Sequence, residues 1–159
     1  MTMSRKEKIE LFRNGHALVV AALKEFPKES WQYRPGPGKW TIHEIVIHLA
    51  DSEANAFGRC RMCIGQPGGL LMAYDQDMWA EKLNYHAQDI DTALALFGAL
   101  RQSTWELIRD LPNEVWSSAA THPEHSSYTL ERWLDIYSNH HVKHIAQMRR
   151  NYELWKSSK

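Results

Sequence analysis

Hydrophobic residues recur at helical spacing in four stretches of the chain. In the first, residues 4–26, they include Ile9, Phe12 and Leu23, and the stretch ends before a proline. Apolar positions at i, i+3, i+4 and i+7 are typical of an amphipathic α-helix. The same spacing recurs in residues 41–64, 89–111 and 129–155, so each of these stretches is also predicted to be a helix.

The second helix carries the clearest start and stop signals. It opens on "TIHE", in which Thr41 can cap the first turn while Glu44 reaches back to it, the arrangement called a capping box. The turn-forming runs "RPGPGK" and "GQPGG" bound it on either side. Residues 70–88 form a long mixed connection, within which residues 77–83 are predicted to form a short helix.

Four helices of this length predict an all-α fold, a four-helix bundle. The chain has 159 residues, enough for one domain over residues 1–159. No segment shows a convincing alternation of apolar and polar residues, so no strand is predicted. The long connection at residues 70–88 would let the second and third helices lie parallel.

Charge and hydropathy exclude two classes of partner. Nineteen basic residues balance nineteen acidic ones, whereas nucleic-acid-binding proteins usually carry a basic excess. No apolar run approaches the roughly 20 residues that span a bilayer, so no membrane association is expected. The N-terminal stretch is charged where a signal peptide would be apolar, and we therefore expect a cytoplasmic protein.

Three histidines lie close together in "SNHHVKHIAQM", residues 138–148. His140 and His144 have the i, i+4 spacing that brings two imidazoles onto one helix face, as in known helical zinc sites. His141 and His144, at i, i+3, are a second possible pair. His144 belongs to both pairs and is therefore the strongest candidate ligand.

A third ligand must come from another helix, and His48 is the natural candidate. It lies beside the apolar face of the second helix, between Ile45 and Leu49. Three histidines would leave coordination positions open, which is the composition of a catalytic metal site. The alternative is that these are ordinary histidines, hydrogen-bonded or exposed on their helices.

Other residues could take part in proton transfer. Asp51 follows His48 by nearly one turn and could orient an imidazole, ligate the metal or act as a base, and Glu44 could also orient an imidazole. His122 and His125, in "THPEHSS", could supply a proton-transfer group from a loop. The alternative is an exposed polar loop. The two cysteines of "CRMC" are interpreted as structural thiols on one helix.

The chain resembles a known family in three motifs that occur in the same order. These are "KWTIHEIVIHLADSE", "THPEH" and "HHVKHIAQ". They are similar to motifs of the DinB/YfiT-like superfamily of metal-binding helical bundles, and the "HPEH" loop is similar to its YfiT-like branch. The resemblance implies an up-down-down-up bundle, often dimeric. It also implies a divalent metal (zinc, nickel or iron) on His48, His140 and His144, and the glutamine at Gln147 favours His140 over His141.

The resemblance also implies an activity. Members transfer low-molecular-weight thiols such as bacillithiol or mycothiol, or are regarded as metal-dependent hydrolases. We therefore expect an enzyme that transfers a low-molecular-weight thiol co-substrate to an electrophilic small molecule, with Asp51 and His125 as catalytic residues and a homodimer as the assembly. One alternative is a hydrolase that activates water with Asp51 or a loop histidine as base. Another is a non-catalytic metal- or ligand-binding protein.

Overall fold

Helices account for most of the chain, and a side chain caps the N-terminal end of each α-helix. The computed structural model describes residues 3–124 and 126–159. Within that part of the chain none of the helices has a long enough apolar stretch to cross a membrane. The helices are α1 (Arg5–Leu23), α2 (Ile42–Gly65), α3 (Gln76–Lys82), α4 (Ile90–Ile108) and α5 (Leu130–Ser157), with short 3-10 turns at Lys28–Ser30, Tyr85–Ala87 and Asn113–Ser117.

The four long helices agree with the pattern of apolar positions. The helix predicted at residues 41–64 is α2, and both halves of its capping box are formed, by Thr41 and Glu44. The short helix predicted at residues 77–83 is α3. The ends of α1 and α4 fall short of the predicted ends because their last residues lie in turns that precede prolines.

The polar segment before α5 is a β-hairpin, where the sequence predicted a loop. Strand β1 (Ala119–His122) pairs antiparallel with β2 (Ser126–Thr129), from Ala119 opposite Thr129 to His122 opposite Ser126. The prediction of no strand was wrong because four residues per strand are too few for an alternating pattern to stand out. His122 is buried in this hairpin.

Helices α2 and α4 run parallel, as the long connection between them predicted. Glu53 pairs with Arg101 at 2.7 Å, and further along both helices Arg61 donates a hydrogen bond to Thr104 at 3.4 Å. Residue numbers therefore rise in the same direction on both helices.

The first and last helices of the bundle, α1 and α5, are also parallel to each other. Arg5 pairs with Glu131 at 2.7 Å near their N-terminal ends, and beyond the last turn of α1 Glu25 pairs with Arg149 at 2.6 Å.

Helices α2 and α5 run in opposite directions. Trp133, early in α5, donates to the carbonyl of Ala56 late in α2, whereas Asn151 near the end of α5 donates to the carbonyl of Trp40 just before α2. Together the three pairs of helices establish the up-down-down-up order.

A buried polar layer divides the apolar core into two clusters. One cluster lies around Leu49 and Phe97, and the other lies around Phe12 and Trp133. Between them the guanidinium of Arg101, a residue of α4, is 1% exposed and contacts the other three long helices. Its partners are the Glu53 carboxylate (2.7 Å), the Phe12 carbonyl (2.9 Å), His141 Nδ1 (3.1 Å) and the Tyr137 carbonyl (3.3 Å).

Gly15 of α1 makes room for this guanidinium. A Cβ atom at Gly15 would lie 2.1 Å from Arg101 Nη1 and 3.0 Å from His141 Nδ1. Arg101 cannot move aside easily, because its hydrogen bonds to Glu53 and to the Phe12 carbonyl hold it in place.

We predict that Gly15→Ala lowers the free energy of unfolding by about 1–3 kcal/mol, since overpacking a rigid core is costly. Gly58→Ala is the matched control. Gly58 is also in a helix interior but has no atom within 4 Å of a built Cβ, so alanine there should stabilise by about 0.5–1 kcal/mol. Urea unfolding of both variants measures the difference, and equal stabilities would contradict the packing argument.

Candidate metal centre

Three histidines from two helices converge beside the polar layer. His48 lies in the second turn of α2, while His140 and His144 are one turn apart on α5. One potential ligand atom from each of the three lies within 4.8 Å of the other two. The Nε2 atoms of His140 and His144 are 3.1 Å apart. The three histidines named as ligands from sequence are therefore neighbours in the structure.

The His48 imidazole is buried without any hydrogen-bond partner. It is 1% exposed, and in the described part of the chain neither of its ring nitrogens has a partner. Burying an unsatisfied polar group costs roughly 1–3 kcal/mol by protein mutational data. Burial also lowers the pKa of His48 to about 3, with a smaller effect from His144, so the ring is neutral and keeps a lone pair for a ligand.

Gln147 sets the orientation of His144. Its side-chain Oε1 lies 2.9 Å from His144 Nδ1 and accepts the Nδ1 proton, which leaves the Nε2 lone pair directed towards His140. A hydrogen bond of this kind fixes the tautomer of a metal-binding histidine and its ring orientation.

His140 lies against both other histidines of the cluster. Burial lowers its pKa to about 2, and the neighbouring His144 and His48 contribute to this shift. Its ring is perpendicular to that of His144, with centroids 4.6 Å apart. Because all three rings are neutral, each has one nitrogen with a lone pair that can bind a metal ion.

Trp40 covers one side of the histidine cluster. Its ring centroid is 4.6 Å from that of His48, and it stacks on His144 at 6.4 Å. Trp40 directly precedes the Thr41 cap of α2, so the start of this helix places both the cover and the first histidine.

The carboxylates near His48 are engaged elsewhere. Asp51 accepts a hydrogen bond from the Tyr85 hydroxyl at 2.5 Å. Glu44 accepts from the Thr41 backbone and from Arg34 (2.6 Å), so it serves in the cap of α2 and does not orient an imidazole of the cluster. Neither carboxylate belongs to the group of possible ligands in the described residues.

The remaining candidate histidines lie elsewhere. His141 is fully buried on another face of α5, where its Nδ1 accepts from Arg101 and burial lowers its pKa to about 3. His122 accepts a hydrogen bond from the Glu124 backbone through Nδ1. His125 lies outside the described residues, so its catalytic role stays a prediction.

The donor set fits a divalent transition metal. Two nitrogens bound to a tetrahedral zinc ion lie about 3.3 Å apart, since each bond is about 2.0–2.1 Å long. The distances between the candidate ligand atoms are comparable. The Nε2 atoms of His140 and His144 are 3.1 Å apart, and all three ligand atoms lie within 4.8 Å of one another. Coordination would also give one of the buried nitrogens of His48 the partner that it lacks.

Comparison with known proteins agrees with this geometry. The family model described as "DinB superfamily" matches residues 11–148. The chain belongs to the DinB superfamily. A relative from Oceanobacillus iheyensis is 32% identical over 114 residues, which cover 70% of this chain, and YfiT of Bacillus subtilis is 31% identical over 117 residues, which cover 71%. Both are provisionally named metal-dependent hydrolases, and the match spans 66% of the length of each.

Two solved structures share the fold. YfiT of Bacillus subtilis, described as having an unusual four-helix bundle topology, superimposes with a TM-score of 0.84 at 25% identity, over 94% of this chain and 88% of that one. The mycothiol-dependent maleylpyruvate isomerase superimposes with a TM-score of 0.72 at 14% identity, over 93% of this chain and 63% of that one. At 14% identity the likeness concerns the fold alone.

Two residues of this DinB-superfamily site were not singled out from the sequence. Trp40 precedes the capping box, and Tyr137 lies one turn before His140, with ring centroids 6.0 Å apart. The i, i+3 spacing of Tyr137 and His140 was a usable signal for a shared face. Trp40 had no such signal, because the path of the chain before α2 decides where its ring lies.

We predict that Gln147→Leu weakens zinc affinity about 10–100-fold, since His144 loses the hydrogen bond that orients its ring. The measurement is competition with a chromogenic chelator. Gln102→Leu is the matched control, because Gln102 lies on exposed α4 surface and contacts only Glu106. Equal affinities of the two variants would show that Gln147 does not support the site.

We also predict that the metal-free protein loses stability in mild acid. The pKa values of His48 and His141 are lowered to about 3 in the folded chain, against an ordinary value of 6.5, so the unfolded chain binds more protons below pH 6.5. Stability is therefore complete above about pH 6.5 and falls towards pH 3, by about 1.4 kcal/mol per pH unit for each histidine.

Urea unfolding at pH 7 and pH 5 in the presence of a chelator measures this loss. His86→Asn is the control, because the His86 side chain is 52% exposed and its replacement should leave the pH dependence unchanged. A midpoint that does not change between the two pH values would contradict the prediction.

Proposed function

We propose that this DinB-superfamily chain is a divalent-metal-dependent enzyme whose metal ion is held by His48, His140 and His144. The observation that carries the proposal is the buried His48 imidazole, which has no hydrogen-bond partner among the described residues and faces two other neutral imidazoles. The names of the relatives, as provisional metal-dependent hydrolases, support a metal in the same role. Zinc, nickel and iron all suit a site of three imidazoles.

The chain's residues would hold the ion and limit access to it. When bound, a divalent ion with open positions lowers the pKa of a thiol or a water molecule, which provides a nucleophile at neutral pH. Gln147 keeps His144 in the metal-binding tautomer, and Trp40 shields His48 and His144 from solvent on one side.

We propose thiol transfer as the reaction, with a low-molecular-weight thiol as co-substrate. The thiolate sulfur would form a bond to an electrophilic carbon while the leaving group departs from that carbon. This reaction needs no general base once the thiol is deprotonated, which suits a site where Asp51, less than one turn from His48 along α2, is already bound by Tyr85. The likeness in fold to a mycothiol-dependent enzyme is compatible with it.

Hydrolysis is the second candidate, and the names of the two relatives favour it. It would use a water molecule as the nucleophile. Asp51, nearly one turn after His48, would then be the general base despite its bond to Tyr85, with His125 as the other proposed proton-transfer group. We further propose a small-molecule substrate, a homodimer and a cytoplasmic location.

Metal content tests the proposed site. We predict about one zinc ion per chain for the purified protein loaded with zinc, and a loss of most of it in His48→Ala and in His144→Ala. His86→Ala should keep full stoichiometry, because His86 is exposed and lies outside the cluster. Full zinc content in both ligand variants would overturn the site.

Turnover tests the reaction. Metal-loaded protein is incubated with bacillithiol, mycothiol or glutathione and a chlorinated or epoxide acceptor, and separately with ester substrates. Conjugation that is lost in His48→Ala supports thiol transfer, whereas ester cleavage without conjugation supports hydrolysis. Full metal binding with no turnover in any assay would favour the non-catalytic alternative.

A further inference from the structure

A cleft of about 250 Å³ begins one turn beyond His48 on α2. It extends from α2 to the hairpin and α5, and its walls include Ser52 and Tyr137. Ser52 lies one turn after His48 on α2, and the Tyr137 ring is 6.0 Å from the His140 ring. A molecule bound in this cleft would therefore reach towards the candidate metal centre.

Arg59 gives the cleft a positive charge that no described carboxylate neutralises. It forms no ion pair within the part of the chain that the structure describes, in contrast to the buried Arg101. Its Nη2 donates to the Met72 carbonyl (2.8 Å) and its Nη1 donates to the Tyr137 hydroxyl (3.3 Å). The Nε atom is buried and has no partner among the described residues.

Tyrosine hydroxyls surround this guanidinium. Tyr74, Tyr128 and Tyr137 all line the cleft, and the charge of Arg59 acts on each of them. The Tyr128 hydroxyl is buried beside Arg59, whose guanidinium carbon lies 5.9 Å from the centre of the Tyr128 ring. Burial raises the pKa of all three hydroxyls, that of Tyr137 to about 12, so they remain protonated and can donate hydrogen bonds.

A guanidinium with several hydroxyl donors is suited to a carboxylate. Arginine binds carboxylates through two parallel N–H groups, and such charge-assisted hydrogen bonds are among the strongest in proteins. Glu124 is the one acidic side chain among the described lining residues, and it is exposed. The single positive charge of Arg59 matches the single negative charge of a carboxylate better than the double charge of a phosphate monoester.

We propose that this cleft binds the carboxylate of an anionic substrate, with Arg59 as its anchor and the tyrosine hydroxyls as additional donors. The orientation of the substrate rests on the proposed function, because the reacting carbon of a substrate anchored at Arg59 would face the metal held by His48, His140 and His144. Arg59 thus selects acidic substrates for this site.

The test uses the zinc-loaded full-length protein and a pair of probes with nearly the same shape, benzoate and benzamide, titrated by calorimetry. We expect benzoate to bind at least about tenfold more tightly than benzamide. In Arg59→Gln the two probes should bind with about equal affinity. Arg61→Gln is the matched control. Arg61 is two residues away on the same helix but donates to Ser103 and Thr104 and does not line the cleft, so the preference should persist.

Three outcomes would overturn the proposal. These are equal affinities for benzoate and benzamide in the parent protein, tighter binding of phenyl phosphate than of benzoate, and an undiminished preference in Arg59→Gln. The last would mean that benzoate binds the zinc instead. If Arg59→Gln does not fold, Arg59→Lys serves, since lysine keeps the charge but loses the two parallel N–H groups, and the preference should fall severalfold.

Zinc content measured on the same samples separates the two proposals. If the protein takes up no zinc after loading but still prefers benzoate in a way that depends on Arg59, the cleft proposal is supported and the metal centre is overturned. If the protein binds zinc fully but has equal affinities for benzoate and benzamide, the metal centre is supported and the cleft proposal is overturned.

Discussion

The buried guanidinium of Arg101 is the interaction on which the rest of the structure depends. A cation without solvent must be paired and fully hydrogen-bonded, or its burial costs several kcal/mol. Arg101, on α4, meets this requirement with groups from the other three long helices, including the Glu53 carboxylate and the Phe12 carbonyl. Because each of these helices supplies its partners at one level of the bundle, the guanidinium sets the axial register of the helices.

That register also positions the candidate metal centre. Glu53 lies five residues after His48 on α2, and His141, which contacts Arg101, directly follows His140 on α5. Fixing Glu53 and His141 against one guanidinium therefore brings His48 opposite His140. The polar layer at the middle of the core and the histidine cluster beside it are consequences of the same helix alignment.

The site combines strong desolvation with few internal hydrogen bonds. Among the described residues, His48 has no partner for its nitrogens, and in the nearby cleft the Arg59 Nε is likewise buried without one. Glu53 Oε1 and His141 Nε2, in the polar layer around Arg101, are also without a partner there, so the layer next to the histidines is not fully satisfied either. The unpartnered nitrogens of His48 and the unpaired guanidinium of Arg59 are the observations that support the proposed metal ion and the proposed acidic substrate.

By itself the sequence determined the four long helices and the capping box of α2, because both depend on spacing within one helix. Spacing also reduced the candidate ligands on α5 to His144 with either His140 or His141, and the family motif that ends at Gln147 favoured His140. It failed for the hairpin, whose strands are too short to show a period, and for Trp40 and Arg59 as parts of the site. Spacing along α2 places Arg59 near the face of His48 but does not say whether a guanidinium there meets a carboxylate or an open cleft. Only the tertiary structure decided that, because charge compensation depends on which side chains of other helices arrive at the same place.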